Sequence, residues 1–480
     1  MSTSDLPVAV IGAGPVGLAA AAHLITRNVP VKLYEAGDTI AANVRDWGRV
    51  RLFSPWSLNA DDAGKAILRR RGWQEPHGDG LPTGDDLYDA YLRPLAETPE
   101  LRAVIETKAK VAAITRNGID KVVTRGRAGH PFSLVVKNGA TRVDLARAVI
   151  DASGTWQNPN PLGASGLPAI GEGDAAEFIT YGIPDVLRAD RATYRSKRVL
   201  VIGGGHSAAN ALLDLSRLAE TDGSVQMTWA VRSQNLSRVF GGGDADRLPA
   251  RGKLGRDLKL LTDSGRLRLV TGFFAERVST QEGVLTVTGW TSAGPTVLGP
   301  FDRIIVATGQ RPDLELTREL RLDLHLWLEC SRTLGPAIDP NLHSCGSVPP
   351  HGYRELAHPE PDYFVVGVKS YGRAPTFLMA TGYEQVRSVA AYLAGDVKAA
   401  DEVRLVLPET GVCSTNFTAQ HEAEKAECCG GPAVAEVDAC CSEDAEAKAA
   451  GAAGCGCGCG SRAANPAPAK EPASPSACCA

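Results

Sequence analysis

The first 329 residues of this 480-residue chain contain no cysteine, and all twelve cysteines lie in the remaining 151. Cys330 and Cys345 stand apart, and the other ten lie in the last 68 residues. A small secreted domain built on disulfides has cysteines throughout its fold, so this placement excludes that class. It also leaves most of the chain without a thiol for redox chemistry.

Long apolar runs and an excess of positive charge are missing as well. No stretch of membrane-span length is both uncharged and predominantly apolar, because the long uncharged runs at 152–171 and 283–301 are rich in Gly, Pro, Ser and Thr. The N-terminal MSTSDLP has no basic region before an apolar segment. Lys plus Arg number 51 against 55 Asp plus Glu, a net charge of −4. No bulk positive field therefore favours nucleic acid or an anionic membrane as a partner. We expect a cytoplasmic protein whose thiols stay reduced.

A strand, a glycine turn and a helix open the chain. The apolar run PVAVIG leads into GAGPVG, LAAAAHLIT is predicted to be a helix, and VPVKLYE a second strand ending at Glu35. Gly12 permits the tight turn, Gly14 lets the backbone approach a pyrophosphate, and Gly17 lets helix and strand pack closely. Glu35 is placed to bind a ribose 2′-hydroxyl. The unit therefore predicts a dinucleotide site.

The same arrangement recurs 191 residues later, from Gly12 to Gly203. KRVLVIG is a predicted strand, ANALLDLSRLA a helix and SVQMTWAV the next strand. The turn residues predicted to bind the nucleotide are Gly203, Gly205, Ser207 and Ala208. The second strand ends at Arg232 and Ser233 without an acid, which favours the 2′-phosphate of NADPH over NADH. The alternative is a solvated surface arginine.

Two further strand-to-turn segments, ARAVIDASGTW and FDRIIVATGQRP, bracket the second unit. We therefore expect the second unit to be inserted into the first. The predicted fold is α/β, with two Rossmann-like dinucleotide-binding domains and a disordered cysteine-rich tail. The predicted boundaries are 1–160 and 301–400 for the discontinuous first domain, 195–300 for the inserted domain and 416–480 for the tail.

This arrangement resembles the two-dinucleotide-domain flavoproteins, which include thioredoxin reductases, disulfide reductases and flavin-containing monooxygenases. The resemblance covers residues 7 to about 395. It implies FAD in the first domain and NADPH in the second, with the nicotinamide reducing the flavin. In this group an acid after a C-terminal strand binds the ribityl chain of the flavin. Here that acid is absent, so the resemblance implies flavin contacts from Gly309, Gly367 and Lys369.

The absence of cysteine before Cys330 excludes the branch that relays electrons through a cysteine pair beside the flavin. Monooxygenases need no such pair, because the protein supplies a pocket that shields the oxygen chemistry from water. Trp47 and Arg51, in the segment WGRVRLFSPW, are the aromatic and cationic groups expected beside the flavin ring. The monooxygenase fingerprint F-x-G-x-x-x-H is not met. The chain is therefore predicted to be monooxygenase-like, outside the best-known subgroup.

After about residue 416 the composition shifts to Ala, Gly, Glu and Pro, which predicts a disordered tail. Adjacent and alternating cysteines put several soft thiolates into one small coordination sphere, which suits As(III), Cu(I) or Hg(II) better than a closed zinc site. The predicted ligands are Cys428, Cys429, Cys440, Cys441, Cys455, Cys457, Cys459, Cys478 and Cys479. The alternatives are a redox-buffering appendage and a low-complexity tail with incidental cysteines.

A flavoprotein core with such a tail is similar to the flavin-binding oxidoreductases of bacterial arsenic-resistance operons. The Cys478-Cys479 terminus also resembles that of mercuric reductase. The leading hypothesis is an FAD-dependent, NADPH-oxidising, monooxygenase-like enzyme linked to detoxification of arsenic or another thiophilic metalloid. Its expected partner is a small molecule, As(III) or an organoarsenical held by the tail thiols.

Two other functions stay open: a metalloid-binding chaperone or sensor with a secondary flavin domain, and a low-molecular-weight disulfide reductase that uses Cys345 or the flavin directly. Neither nucleic acid nor a membrane is expected as a partner, and a homodimer stays open. The sequence identifies no catalytic acid, base or nucleophile.

Overall fold

The computed structural model describes residues 3–405, apart from 242, 244, 245, 247, 343–347 and 376, and also residue 448. The chain divides into a body over Met1–Thr415, which holds both dinucleotide-binding units, and a separate C-terminal segment over Asn416–Ala480. Apart from residue 448, the segment predicted to be a disordered tail lies outside the described residues, and so do the nine cysteines predicted to bind a metal. Among the helices that the structure describes, none combines the length and the apolar character needed to span a bilayer.

The described strands, numbered in chain order, are β1 Val8–Ile11, β2 Val31–Tyr34, β3 Ile105–Glu106, β4 Lys110–Arg116, β5 Phe132–Asn138, β6 Ala140–Ala146, β7 Ala148–Asp151, β8 Ile179–Tyr181, β9 Arg198–Ile202, β10 Gln226–Ala230, β11 Leu267–Val270, β12 Phe274–Gln281, β13 Val284–Thr291, β14 Gly294–Phe301, β15 Arg303–Val306 and β16 Tyr363–Val365.

The described α-helices are α1 Pro15–Thr26, α2 Ala42–Asp46, α3 Trp56–Asn59, α4 Asp62–Arg69, α5 Gly84–Leu87, α6 Arg93–Ala96, α7 Pro99–Arg102, α8 Arg191–Tyr194, α9 His206–Asp222, α10 Ser237–Phe240, α11 Pro249–Asp263, α12 Gly335–Ile338, α13 Tyr353–Leu356, α14 Met379–Leu393 and α15 Val397–Asp401. A π-helical turn covers Tyr88–Leu92, and short 3₁₀ helices cover Thr3–Asp5, Arg127–Gly129, Ala176–Phe178, Glu315–Thr317 and Gly367–Tyr371.

The first sheet has the strand order β16-β7-β1-β2-β3, and all its strand pairs are parallel. The pairing of Val8 with both Val31 and Ala148 puts β1 at its centre. One face is covered by α1 and α14, and the other by the antiparallel meander β4-β5-β6. A parallel sheet buried on both faces needs apolar strands, which VAVI provides throughout and AVID provides up to its last residue, Asp151.

The second sheet has the order β11-β10-β9-β15-β8, again with parallel pairs only. Helices α9 and α11 cover one face, and the antiparallel meander β12-β13-β14 packs on the other. The two halves of the described chain thus repeat one plan, a five-stranded parallel sheet with helices on one side and a three-stranded meander on the other. This confirms the predicted fold class of two Rossmann-like units.

The second sheet is inserted between β7 and β16 of the first, as expected from the bracketing segments. One predicted boundary needs a correction. Residues 301–306 were assigned to the first domain, but β15 pairs with β9 and β8 and therefore belongs to the second sheet. Strand β8 also lies in the second sheet, N-terminal to the predicted start at 195. Strands β15 and β8 are both short, so their pairing, rather than the glycine motif, decides to which sheet they belong.

Candidate functional site: two glycine turns and the strand ends beside them

The first glycine turn joins β1 to α1. Gly12 has φ +94°, and a Cβ there would lie 2.7 Å from the Ala152 carbonyl oxygen, so only glycine fits. A Cβ on Gly17 would overlap the Gly12 carbonyl oxygen, which shows how closely α1 packs on the turn. At Gly14 a Cβ would meet nothing within 4 Å. The open space lies at the N-terminus of a helix, where free N–H groups favour a phosphate.

Glu35 follows β2 and reaches back to this turn. It is 9% exposed, and its Oε2 accepts a hydrogen bond from the Ala13 N–H at 2.8 Å while its Oε1 accepts one from the Gly37 N–H at 2.8 Å. The carboxylate therefore sits beside the glycine turn, where the sequence placed it. Its contact with a ribose hydroxyl stays a prediction.

The second glycine turn repeats the geometry of the first. Gly203 has φ +133°, and a Cβ there would overlap the Ala307 carbonyl oxygen, just as Gly12 lies against Ala152. Gly205 has φ −107° and is the N-cap of α9, and a Cβ on it would meet nothing within 4 Å. Ala208 is fully buried where the first turn has Gly17. The second helix N-terminus therefore offers the same open approach to a phosphate.

Arg232 and Ser233 lie just after β10, and both are exposed. The Arg232 Nη1 donates to the Ala164 carbonyl oxygen at 3.0 Å, and the Ser233 hydroxyl donates to the Asn235 carbonyl oxygen at 2.6 Å. A guanidinium held at a strand end beside a glycine turn suits a 2′-phosphate. The nucleotide contacts predicted for Arg232 and Ser207 stay predictions.

Trp47 and Arg51 lie on the first unit. A Cβ on Gly84 would lie 2.7 Å from the Trp47 ring, so the indole packs on a glycine. Arg51 is exposed and donates to the Leu81 carbonyl oxygen. Their predicted flavin contacts stay predictions.

Sequence reasoning missed an aromatic contact between the two halves of the described chain. The half-buried Phe53 ring lies 5.0 Å from the imidazole of His206, the first residue of α9. The Arg251 guanidinium lies 5.9 Å from the centre of the Phe53 ring. Arg251 also forms a buried ion pair with Asp246, with an N–O distance of 2.6 Å. No periodicity or motif links positions 53, 206 and 251, so only the fold could show this contact.

The strand ends beside the first turn carry Gly367 and Lys369, and the equivalent turn in the second unit carries Gly309. Gly309 has φ +87° and Gly367 has φ +71°, so both positions favour glycine. Lys369 is 3% exposed, and its Nζ lies 2.8 Å from the Asp151 Oδ2 and 3.0 Å from the Ser153 hydroxyl. The partner, Asp151, was missed, although its signal was visible as an acid that ends an apolar strand.

The Asp151 carboxyl is fully buried. Burial alone would raise its pKa, but the charge of Lys369 and hydrogen bonds from Lys369 and Ser153 lower that pKa below the usual range. The carboxyl is therefore an anion that needs its lysine partner.

Cys330 is the one cysteine within the described residues, and it is 2% exposed. Burial raises the pKa of its thiol to about 12, so it remains protonated and unreactive near neutral pH. Cys345 lies outside the described residues. Among the residues that the structure describes, no group of three or more His, Cys, Asp or Glu side chains is arranged to hold a metal ion.

Two parallel sheets, each with a glycine turn leading into a helix, define a protein with two domains of the dinucleotide-binding fold. The chain belongs to the pyridine nucleotide-disulphide oxidoreductase family, whose match covers residues 9–323. It is therefore an oxidoreductase.

Two curated relatives match parts of the chain. Ferredoxin–NADP reductase 1 of Listeria welshimeri is 27% identical over 215 residues, 44% of this chain and 51% of the relative. Thiamine thiazole synthase of Pyrobaculum islandicum is 28% identical over 178 residues, 35% of this chain and 63% of the relative. The chain therefore spans between half and two thirds of the length of these relatives.

Solved structures resemble the described chain over most of its length. Bacillithiol disulfide reductase Bdr from Bacillus cereus has a TM-score of 0.59 at 17% identity, covering 81% of this chain and 99% of that one. The FAD-bound cadaverine monooxygenase from Erwinia amylovora has a TM-score of 0.59 at 12% identity, with coverage of 85% and 99%. A flavin-containing monooxygenase from Stenotrophomonas maltophilia has a TM-score of 0.51 at 20% identity, covering 82% of this chain and 98% of that one. At these identities the likeness concerns the fold.

Proposed function

We propose that the chain is an FAD-dependent, NADPH-oxidising oxidoreductase of monooxygenase type, linked to detoxification of arsenic or another thiophilic metalloid. The assignment of the two cofactors rests on the repeated glycine turn, which has open space at Gly14 and at Gly205. The two units differ in the residue that follows the next strand, β2 in the first unit and β10 in the second. Glu35 in the first unit suits a ribose hydroxyl, and Arg232 in the second suits a 2′-phosphate.

In this proposal the first site takes FAD and the second takes NADPH. Bound FAD would accept a hydride from the nicotinamide and pass electrons to an acceptor. The protein contributes binding and orientation: the N-termini of α1 and α9 face the two pyrophosphates, and Glu35 fixes the adenosine ribose. Phe53 and His206 lie in contact beside the second turn.

The sequence distribution of thiols supports oxygen rather than a protein disulfide as the acceptor. Residues 1–329 have no cysteine, and Cys330 is buried with a raised thiol pKa. A relay through a protein thiol needs a thiolate that can attack or be attacked. Among the residues that the structure describes, no cysteine supplies such a thiolate.

The metalloid part of the proposal rests on the amino-acid sequence of the tail. Nine cysteines fall within residues 428–480 as adjacent or alternating groups, and soft thiolates select soft centres. The same tail supports the second candidate, a metalloid-binding chaperone or sensor whose flavin unit is secondary. A cytoplasmic location belongs to this proposal, because thiols stay reduced there.

The experiment is to measure oxygen uptake and NADPH oxidation together, with and without arsenite or an organoarsenical. The proposal expects NADPH oxidation with matching oxygen uptake and a rise in both when the arsenical is added. If arsenite binds but changes neither rate, the chaperone or sensor is supported instead. If NADPH is consumed only when a low-molecular-weight disulfide is added, the protein is a disulfide reductase, and C345S then tests the single thiol.

A further inference from the structure

Three turns lie side by side at the carboxyl edge of the first sheet, after β1, β7 and β16. The turn after β7 touches the glycine turn, since a Cβ on Gly12 would lie 2.7 Å from the Ala152 carbonyl oxygen. The turn after β16 touches it too, because a Cβ on Gly367 would lie 3.4 Å from the Val16 Cγ2. Both outer turns therefore pack against the turn that faces the first nucleotide.

A buried ion pair joins the two outer turns. Lys369 Nζ lies 2.8 Å from Asp151 Oδ2, and the two side chains are 3% and 0% exposed. The Tyr363 hydroxyl donates to the same Oδ2 at 3.1 Å, and the Ser153 N–H donates to Oδ1 at 3.0 Å. The Asp151 carboxylate is thus satisfied by one cation and two further donors, Lys369 and Ser153 from the strand-end turns and Tyr363 from the start of β16.

The turn after β16 is also held from its other side. The Gly367 N–H donates to the Gln385 Oε1 at 2.8 Å, and Gln385 Nε2 donates to the Ser370 hydroxyl at 2.8 Å. Gln385 is fully buried on α14. The short segment Gly367–Ser370 is therefore fixed to α14 at its backbone and to β7 through the Lys369 side chain.

This geometry bears on what Lys369 does. A buried carboxylate that loses its cation carries a large desolvation cost, so the Lys369 ammonium is not free to leave Asp151 for another ligand. A role for Lys369 as a direct flavin ligand, as the sequence implied, would compete with this pair.

We propose that Lys369 is a positioning residue of the first dinucleotide site. Through Asp151 it locks the turns after β7 and β16 against the glycine turn, so that the backbone facing FAD is set before FAD binds. This inference rests on the proposed function, because it takes FAD to be the ligand of that site.

The test measures the FAD dissociation constant of the full-length protein, stripped of flavin, by flavin fluorescence, together with the unfolding temperature. Lys369→Met leaves Asp151 buried and uncompensated, so we expect the unfolding temperature to fall and the FAD dissociation constant to rise about tenfold or more. Asp151→Asn with Lys369→Met removes both charges. We expect it to recover the unfolding temperature while its FAD dissociation constant stays at least about fivefold raised, since the two turns are no longer linked.

Arg116→Met is the matched control. Arg116 is 1% exposed in its pair with Glu360, at 2.8 Å, on the meander that covers the sheet. Glu360 keeps Arg127 as a second partner, at 2.8 Å. Arg116→Met should therefore lower the unfolding temperature by less than Lys369→Met does, and it should leave the FAD dissociation constant within about twofold of wild type. A Lys369→Met protein that binds FAD like wild type, or an Arg116→Met protein that loses FAD equally, overturns the inference.

Failure of the proposed function would look different, because wild-type protein would then bind no FAD. If Lys369→Met does not fold, the double variant decides. An FAD dissociation constant equal to that of wild type would refute the positioning role, and a raised one would support it.

Discussion

The ring of Phe53 lies 5.0 Å from the imidazole of His206, and the two planes are inclined by 47°. Phe53 comes from the loop before α3 of the first unit, whereas His206 opens α9 directly after the second glycine turn. An aromatic contact between the two units therefore lies beside the predicted NADPH site. It makes Phe53 the residue of the first unit most directly connected to that turn.

Replacing Phe53 with Ala should raise the KM for NADPH about three- to tenfold, because loss of an aromatic pair costs about 0.5–1.5 kcal/mol and frees His206 beside the turn. FAD content should be unchanged, because the first glycine turn does not depend on this ring. Steady-state kinetics at saturating oxygen measure the effect, with Phe53→Tyr as the control that keeps a ring. A lower KM in Phe53→Ala would show instead that the ring obstructs the nucleotide.

The two turn glycines Gly203 and Gly205 should respond in opposite ways to alanine. Gly203→Ala introduces a Cβ that overlaps the Ala307 carbonyl oxygen at φ +133°, so we expect a large loss of stability or no folded protein. Gly205→Ala meets nothing within 4 Å and should fold normally. It should nevertheless bind NADPH at least about tenfold more weakly, because the methyl group fills the space reserved for the pyrophosphate. Unchanged NADPH binding in Gly205→Ala would remove this turn from the nucleotide site.

Arg232 should decide between the two nicotinamide dinucleotides. Loss of a charge-assisted hydrogen bond costs about 1.5–3 kcal/mol, so Arg232→Ala should raise the KM for NADPH by at least about tenfold and leave that for NADH unchanged. Arg268 on the neighbouring strand β11 is also exposed, and Arg268→Ala is the matched control. An equal effect of Arg232→Ala on both nucleotides would contradict recognition of the 2′-phosphate.

The tail should be separable from NADPH oxidation. A chain ending at residue 415 keeps both sheets and lacks the nine clustered cysteines, so it should retain NADPH oxidation and lose tight arsenite binding. Dialysis with arsenite followed by elemental analysis measures the second property. Undiminished arsenite binding by the shortened chain would contradict the assignment of the metalloid to the tail thiols.

His358 should make stability depend on pH. Burial lowers the pKa of its imidazole to about 4, and the Asp323 N–H donates to its Nδ1 at 3.3 Å, which requires the neutral ring. The unfolded chain takes up this proton near pH 6.5, so between about pH 6.5 and 4 the unfolded state binds more protons and stability falls on acidification. His358→Gln should lose about 2 kcal/mol less than wild type between pH 7 and pH 5 in urea unfolding. Equal losses would show that His358 does not carry this dependence.

The sequence predicted what depends on local rules. The positive φ of Gly12 and Gly203 and the packing of Gly17 follow from the tight strand-to-helix connection, so the motif located both turns. Glu35 lies beside the first turn, as its spacing predicted. The insertion also followed, because the two units and their bracketing segments appear in order along the chain. Strand β15 was assigned to the wrong domain and β8 to neither, since short strands carry little pattern of their own.

Long-range pairs could not be predicted from one sequence. Asp151 and Lys369 are 218 positions apart, and the sequence around neither residue shows that the lysine neutralises the aspartate. The same holds for Phe53 and His206, which meet only because the second unit folds back over the first. Burial decides such contacts, and burial of a charged or aromatic group depends on the assembled sheet.

The most direct test of the central claim is anaerobic reduction of the purified protein by NADPH. The proposal predicts that the protein carries FAD. NADPH should then bleach the flavin absorbance, at roughly 450 nm, in a single rapid phase, because the bound oxidised flavin accepts a hydride. NADH should bleach it far more slowly. Protein that holds no flavin, or flavin that stays oxidised under excess NADPH, would contradict it.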